Sequence, residues 1–251
     1  MGGKRKVIYE QNFKIGVRDI DSQLKLTNRA LLGMFEDVSS AHSDTVGCGV
    51  GNIRETGLSW VIMHWKTKVI RRPEYGESIT IRTWVAGMKK LYMFRQYQVV
   101  DREGEIIAVG NSKWVLTDLQ SGAVKIPQWI VDGYGIYDEA VFGEYQMEKL
   151  KEPEYPPSYG AEYKVPCCAI DLNRHMNNLY YLDAAADSMN PERYLAAAFD
   201  EFEIMYKKES TLGEILKCQV YERDGETLFA FRDEGGRHIH AIVLLKQLLH
   251  V

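Results

Sequence analysis

The stretch Asp171-Leu-Asn173-Arg-His175-Met-Asn177-Asn178 is dense in side chains that can do chemistry. A carboxylate, a carboxamide and an imidazole recur at every second position. In an extended segment that spacing turns all three to one side. A helix is expected immediately afterwards, from about Asn177 to Ser188. The first amides of a helix lack intrahelical partners and carry the positive end of its dipole. An ester or thioester carbonyl seated there would have its developing oxyanion stabilised. The same residue types also make ordinary turns and N-caps, so spacing alone leaves a purely architectural reading of this stretch open.

Other signals are weaker. His238-x-His240 could place two imidazoles on one strand face, but no third ligand stands nearby. An exposed face is expected there, and no metal site. Gly47-Cys-Gly-Val-Gly51 lacks the strand–loop–helix setting and the Lys-Ser/Thr of a phosphate loop, and reads as a connection. No Gly-x-Ser-x-Gly elbow exists, which disfavours a serine hydrolase of the α/β type. Cys48, Cys167, Cys168 and Cys218 contain no Cys-x-x-Cys pair and are expected as free thiols.

The elements that must position these side chains occur twice. Asp21-Ser-Gln-Leu-Lys-Leu-Thr-Asn28 lies 150 residues before Asp171–Asn178, with Asp21 opposite Asp171 and Asn28 opposite Asn178. Gly76-Glu77 lies 137 residues before Gly213-Glu214, and the same offset pairs Leu91, Phe94 and Arg95 with Leu228, Phe231 and Arg232. The order of these matches predicts an internal duplication. In the first copy a helix is expected over about Thr27–Ala41, where Leu31, Leu32 and Phe35 recur at helical spacing. Strands are expected near Val61–Val69, Ser78–Ala86, Leu91–Asp101 and Glu105–Thr117. In the second copy they are expected near Phe199–Lys207, Glu214–Arg223, Thr227–Arg232 and Arg237–Leu248, with Glu222–Gly225 as a hairpin turn. Residues 1–126 form the first repeat, 127–166 a proline- and tyrosine-rich connection, and 167–251 the second repeat. The fold class is α+β, each repeat an antiparallel sheet around a central helix.

Composition narrows the function classes. The chain has 251 residues, 45% hydrophobic and 26% charged, with a net charge of −4. That is a globular composition, and it disfavours a broadly basic nucleic-acid binder. No apolar run approaches the roughly 18–20 residues of a membrane span. The basic Met1-Gly-Gly-Lys-Arg-Lys start has no apolar region behind it, so no secretory signal is expected.

Asp171-x-Asn173-x-His175-x-Asn177-Asn178, leading into a tyrosine-containing helix, resembles the catalytic motif of the acyl-acyl carrier protein thioesterases known from plant plastids and bacteria. Met205-Tyr206-Lys-Lys-Glu209-Ser210 resembles the family's Glu-Tyr-Arg-Arg-Glu-Cys segment, and Trp60-Val61 its Trp-Val strand start. The resemblance spans about residues 15–245. It implies a tandem double hot-dog fold and hydrolysis of fatty acyl-carrier thioesters without metal or organic cofactor. It implies catalytic roles for Asp171, Asn173, His175 and Glu209. Glu209 would be general base, directly or through His175. Asn173 would orient water or polarise the carbonyl. Asp171 would support His175, and a direct carboxylate nucleophile stays open. Ser210 replaces the cysteine of many plant members, which excludes thiol chemistry there. Lacking a plastid leader, the chain is expected to be a bacterial, cytoplasmic member.

The first copy has Gln23 and Lys25 where the second has Asn173 and His175, and Arg71-Arg72-Pro73 opposite the Lys-Lys-Glu segment. One active site per chain is therefore expected, with the first half free to shape an acyl pocket. Met34, Trp60 and Met63 are candidate pocket walls. An acidic carrier with a phosphopantetheine arm, which the resemblance implies as partner, would favour a basic patch at Arg71, Arg72, Lys207 and Lys208. Two rival readings are an acyl-coenzyme A thioesterase of the hot-dog class and a non-catalytic acyl-binding regulatory module. A double repeat is already a pseudo-dimer, which leaves room for a further homodimer.

Overall fold

Leu31, Leu32, Phe35 and Val38 form one buried stripe of helix α1, Asn28–Val46, as helical spacing requires. The Thr27 hydroxyl caps its start by accepting the Ala30 N–H at 3.1 Å, and Gly47 ends it at a φ of 85° that favours glycine. This computed structural model describes residues 7–171 and 173–247, except for the side chain of Ala196. The basic stretch of residues 1–6 and the expected strand end at Leu248 lie outside the described residues. The chain forms two compact units, Met1–Met63 with Lys68–Met147, and His64–Thr67 with Glu148–Val251.

The first unit carries β1 (Tyr9–Lys14), α1, α2 (Ile53–Thr56), the greater part of β2 (Leu58–Val69), β3 (Ser78–Lys89), β4 (Tyr92–Val100), β5 (Ile106–Asp118), β6 (Gly122–Ala123) and α3 (Gln128–Tyr134). Its antiparallel strands run in the order β1-β3-β4-β5-β2. Phe35 of α1 stacks on Tyr97 of β4, with ring centroids 4.4 Å apart. Gly110 of β5 makes room for it, since a Cβ there would come within 2.6 Å of the Phe35 ring.

The second unit carries β7 (Tyr159–Lys164), α4 (Tyr180–Asp187), α5 (Pro191–Ala196), β8 (Glu201–Tyr206), β9 (Ile215–Arg223), β10 (Glu226–Arg232) and β11 (Ile239–Lys246). Its order, β8-β11-β10-β9-β7, is the same arrangement with β7 in the place of β1. Tyr181 of α4 packs edge-on against Phe231 of β10 at 5.6 Å. Asp224 and Gly225, both at positive φ, make the expected β9–β10 turn. No helix among the described residues is long and apolar enough to cross a membrane.

The elements differ from the sequence reading in several places, among them helix α1, which runs past Ala41 to Val46. Strands β1 and β7, the latter inside 127–166, have exposed residues alternating with half-buried or buried ones, a weak signal because each lies at a sheet edge. Helix α4 starts at Tyr180 and not Asn177, because Asn177 and Asn178 are spent on the turn before it. The repeat offset of 137 holds at Gly76/Gly213 and Glu77/Glu214 but not in the strands. The β4–β5 and β10–β11 turns match Asp101 with Asp233 and Gly104 with Gly236, because β4 has 9 residues and β10 has 7. Arg95 and Arg232 are therefore not equivalent.

Candidate active site

The Asp171 loop is a turn and not the extended segment that its alternation implied. The Asp171 Oδ1 accepts the backbone N–H of Asn173 at 2.8 Å and of His175 at 3.3 Å. Arg174 takes a left-handed φ of 65°. The Asp171 N–H closes the loop on the His175 carbonyl at 2.9 Å. A short acidic side chain that takes up main-chain donors is what such turns select. Asn173 is exposed on this turn. The helix start is not the open anion site expected from sequence. The Leu179 N–H goes to Asn177 Oδ1 at 2.9 Å, and the Tyr180 and Tyr181 N–H groups go to the carbonyls of Asn177 and Asn178.

The loop then brings distant residues together. The Met176 N–H donates to the Ser210 carbonyl at 2.8 Å, and His175 bridges to Thr211. This backbone pairing sets His175 Nε2 3.3 Å from Glu209 Oε2, with side-chain exposures of 34% and 67%. A carboxylate within reach of an accessible imidazole can accept a proton, orient the ring or steady its charged form.

Beneath this pair lies a polar chain that the sequence reading missed. The Ser210 Oγ lies 2.9 Å from the Tyr181 hydroxyl and 2.6 Å from His240 Nδ1. His240 Nε2 is 3.4 Å from Glu214 Oε1. His240 is 0% exposed, which corrects the exposed strand face expected for His238-x-His240. Burial pushes its ring below the ordinary histidine range, with Glu214 opposing. The sequence signal available was the apolar run that follows His240, which marks a buried strand. Among the described residues no group of three or more His, Cys, Asp or Glu could hold a metal ion.

The remaining candidates have these surroundings. Arg71 pairs with Glu77 at 2.9 Å and Asp101 at 3.0 Å. Arg72 donates to the Leu26 carbonyl at 2.8 Å and to Asn28 Oδ1 at 2.9 Å. Lys207 and Lys208 are exposed. Trp60 lines a cavity of the first unit. Met34 is buried on α1, and Met63 is half-buried on β2.

Comparison with known proteins follows the two units. The model of the acyl-ACP thioesterase N-terminal domain matches residues 6–134, and that of the acyl-ACP thioesterase C-terminal domain matches residues 156–244. A chloroplastic palmitoyl-acyl carrier protein thioesterase of Gossypium hirsutum is 22% identical over 233 residues, covering 88% of this chain and 56% of the relative. A chloroplastic dodecanoyl-[acyl-carrier-protein] hydrolase of Cinnamomum camphora is 22% identical, covering 86% and 59%. The chain thus spans little more than half the length of these curated relatives. An acyl-ACP thioesterase structure from Bacteroides thetaiotaomicron matches with a TM-score of 0.84 at 21% identity, over 96% of this chain and 97% of that one. A 12:0-ACP thioesterase from Umbellularia californica matches at 0.82 and 19%, over 98% and 99%. These likenesses bear out the tandem double hot-dog fold.

Proposed function

The chain belongs to the acyl-ACP thioesterase family, and on that premise we propose that it hydrolyses fatty acyl thioesters of acyl carrier protein to free acid and carrier thiol. The observation that carries this reading is the His175–Glu209 pair at 3.3 Å. It joins the Asp171 loop to the segment after β8, and the matching positions of the first half hold Lys25 and Arg72 instead. In the proposed reaction water attacks the thioester carbonyl carbon. Glu209, directly or through His175, takes a proton as the new C–O bond forms. The Asn173 carboxamide donates to the carbonyl oxygen, where negative charge builds. Collapse of the tetrahedral species breaks the C–S bond, and the held proton goes to the leaving sulfur. Asp171 acts from behind by shaping the loop, since its Oδ1 is occupied by two main-chain N–H groups.

The acidic carrier is read by the exposed Lys207 and Lys208, next to Glu209, more than by Arg71 and Arg72, which are engaged within the first unit. The cytoplasm is the compartment that goes with this reading. The test is parallel hydrolysis of one acyl chain carried on acyl carrier protein and on coenzyme A. Faster turnover on the carrier protein is expected, and Lys207→Glu with Lys208→Glu should raise KM for that substrate alone. Higher kcat/KM on coenzyme A would favour the coenzyme A reading, and no turnover on either would remove the enzyme.

A further inference from the structure

The first unit holds a cavity of about 60 Å³, bordered by Ser39, Ser43, Cys48, Trp60, Arg95 and Trp114 among others. That is room for several water-sized groups. A pocket for a hydrocarbon tail alone would be lined by aliphatic side chains. This one adds hydroxyls, a thiol, two indoles and a guanidinium to Val50, Ile53 and Met93. Arg95, on β4, is 0% exposed. Its Nη1 is 2.9 Å from His42 Nδ1 and 3.3 Å from Thr83 Oγ1, and the guanidinium lies 5.2 Å from the Tyr134 ring centroid. All of these partners are neutral: burial, with Arg95 adding to it, holds His42 near a pKa of about 3. Ser39 and Ser43 donate their hydroxyls to the Phe35 and Ser39 carbonyls.

Arg95 Nε and Nη2 have no hydrogen-bond partner among the described residues. These are the two nitrogens whose N–H bonds lie parallel along one edge of the guanidinium, the fork that fits a carboxylate bidentately. A buried cation without an anionic partner is strongly unfavourable, and leaving two of its donors unsatisfied adds to the cost. One planar anion on that edge would meet both deficits.

We infer that this cavity binds a carboxylate on the Nε/Nη2 edge of Arg95. The source that fits a thioesterase is the distal carboxylate of a carboxylate-bearing acyl group, and this part rests on the function proposed above. A free small carboxylate offers the same chemistry.

The experiment is calorimetric titration of the whole chain with two pairs of probes. One pair is butyrate and butyramide. The other is two non-hydrolysable acyl-pantetheine amides of equal length, one ending in a methyl group and one in a carboxylate. The carboxylate-ended amide is expected to bind about tenfold tighter or better. Arg95→Met should erase that advantage while keeping or raising Tm, since an uncompensated buried cation is replaced by an apolar chain of similar length. Arg95→Lys, which keeps the charge and loses the fork, should also reduce it. Preference for butyrate over butyramide, with none between the two amides, keeps the carboxylate site and assigns it to a free carboxylate. No preference for the anion in either pair, or a preference unchanged in Arg95→Met, overturns the inference. Hydrolysis of both a methyl-ended and a carboxylate-ended acyl-carrier substrate is measured alongside, and turnover means turnover of either. Turnover without carboxylate preference sinks this inference alone, and carboxylate preference without turnover sinks the hydrolase reading alone.

Discussion

Asp21 and Asp171 hold their loops with the same bonds. Each carboxylate accepts the N–H groups two and four residues on, each loop has one left-handed residue, Leu24 or Arg174, and each pairs its next N–H with the carbonyl of Pro73 or Ser210. What stands on these frames differs. Lys25 replaces His175, and Arg72, bound to Leu26 and Asn28, replaces Glu209. Leu31, Pro73 and Ile107 occupy the places of Tyr181, Ser210 and His240, so an apolar layer replaces the polar chain. The aspartate carboxylate and the backbone hydrogen bonds keep the loop, and its other side chains are therefore free to diverge in chemistry.

The largest expected effect breaks the comparison on its catalytic side. His175→Ala and Glu209→Gln should each cut kcat on an acyl-carrier substrate by roughly 10²–10⁴, the value of one positioned acid or base, with circular dichroism unchanged. Wild-type turnover in both folded variants would leave the pair without a catalytic role.

The next concerns the histidine buried in the first half. His42 is held near 3, against an ordinary value of 6.5, by burial and then by Arg95. Below 6.5 the unfolded chain takes up a proton that the folded chain refuses until about 3. Stability should therefore fall by about 1.4 kcal/mol per pH unit through that window. Urea midpoints measured from neutral pH to about pH 4 should show the slope, and His42→Gln should flatten it. An equal slope in the variant would assign the loss to other groups.

Smaller still is the contrast between Ser210 and Pro73. Ser210→Ala leaves the Tyr181 hydroxyl and His240 Nδ1 buried without that partner, which should cost about 1–3 kcal/mol. Pro73→Ala should cost about 0.4–1 kcal/mol through the unfolded chain. Equal losses in chemical denaturation would mean that the polar chain contributes nothing specific. The smallest effect is Lys25→Ala, which should leave kcat within about twofold, since Lys25 has no carboxylate in the Glu209 place. A large loss there would end the one-site reading.

Much of this was legible along the chain. Helix α1, the main strands of both repeats, their turns and the duplication all follow from side-chain period, turn residues and glycines, which act over a few residues. Asp171, Asn173, His175 and Glu209 are candidates that rest on motif resemblance, and the first copy's lack of the His–Glu pair is plain in the sequence. The loop-closing hydrogen bonds of Asp171 were not legible, because alternation does not reveal a left-handed turn at Arg174.

What only the tertiary structure decided involves strands far apart in sequence. It set the distance between His175 and Glu209, which depends on the Met176–Ser210 backbone pairing. It buried His240 against Ser210, and it left Arg95 at 0% exposure with one edge of its guanidinium unpartnered among the described residues. It also moved the repeat offset in β4 and β10, which a constant spacing had hidden. Local sequence determines which conformations a segment prefers, because those preferences come from its own sterics and period. Which polar groups share a buried space depends on register and packing between segments, and these are properties of the whole fold.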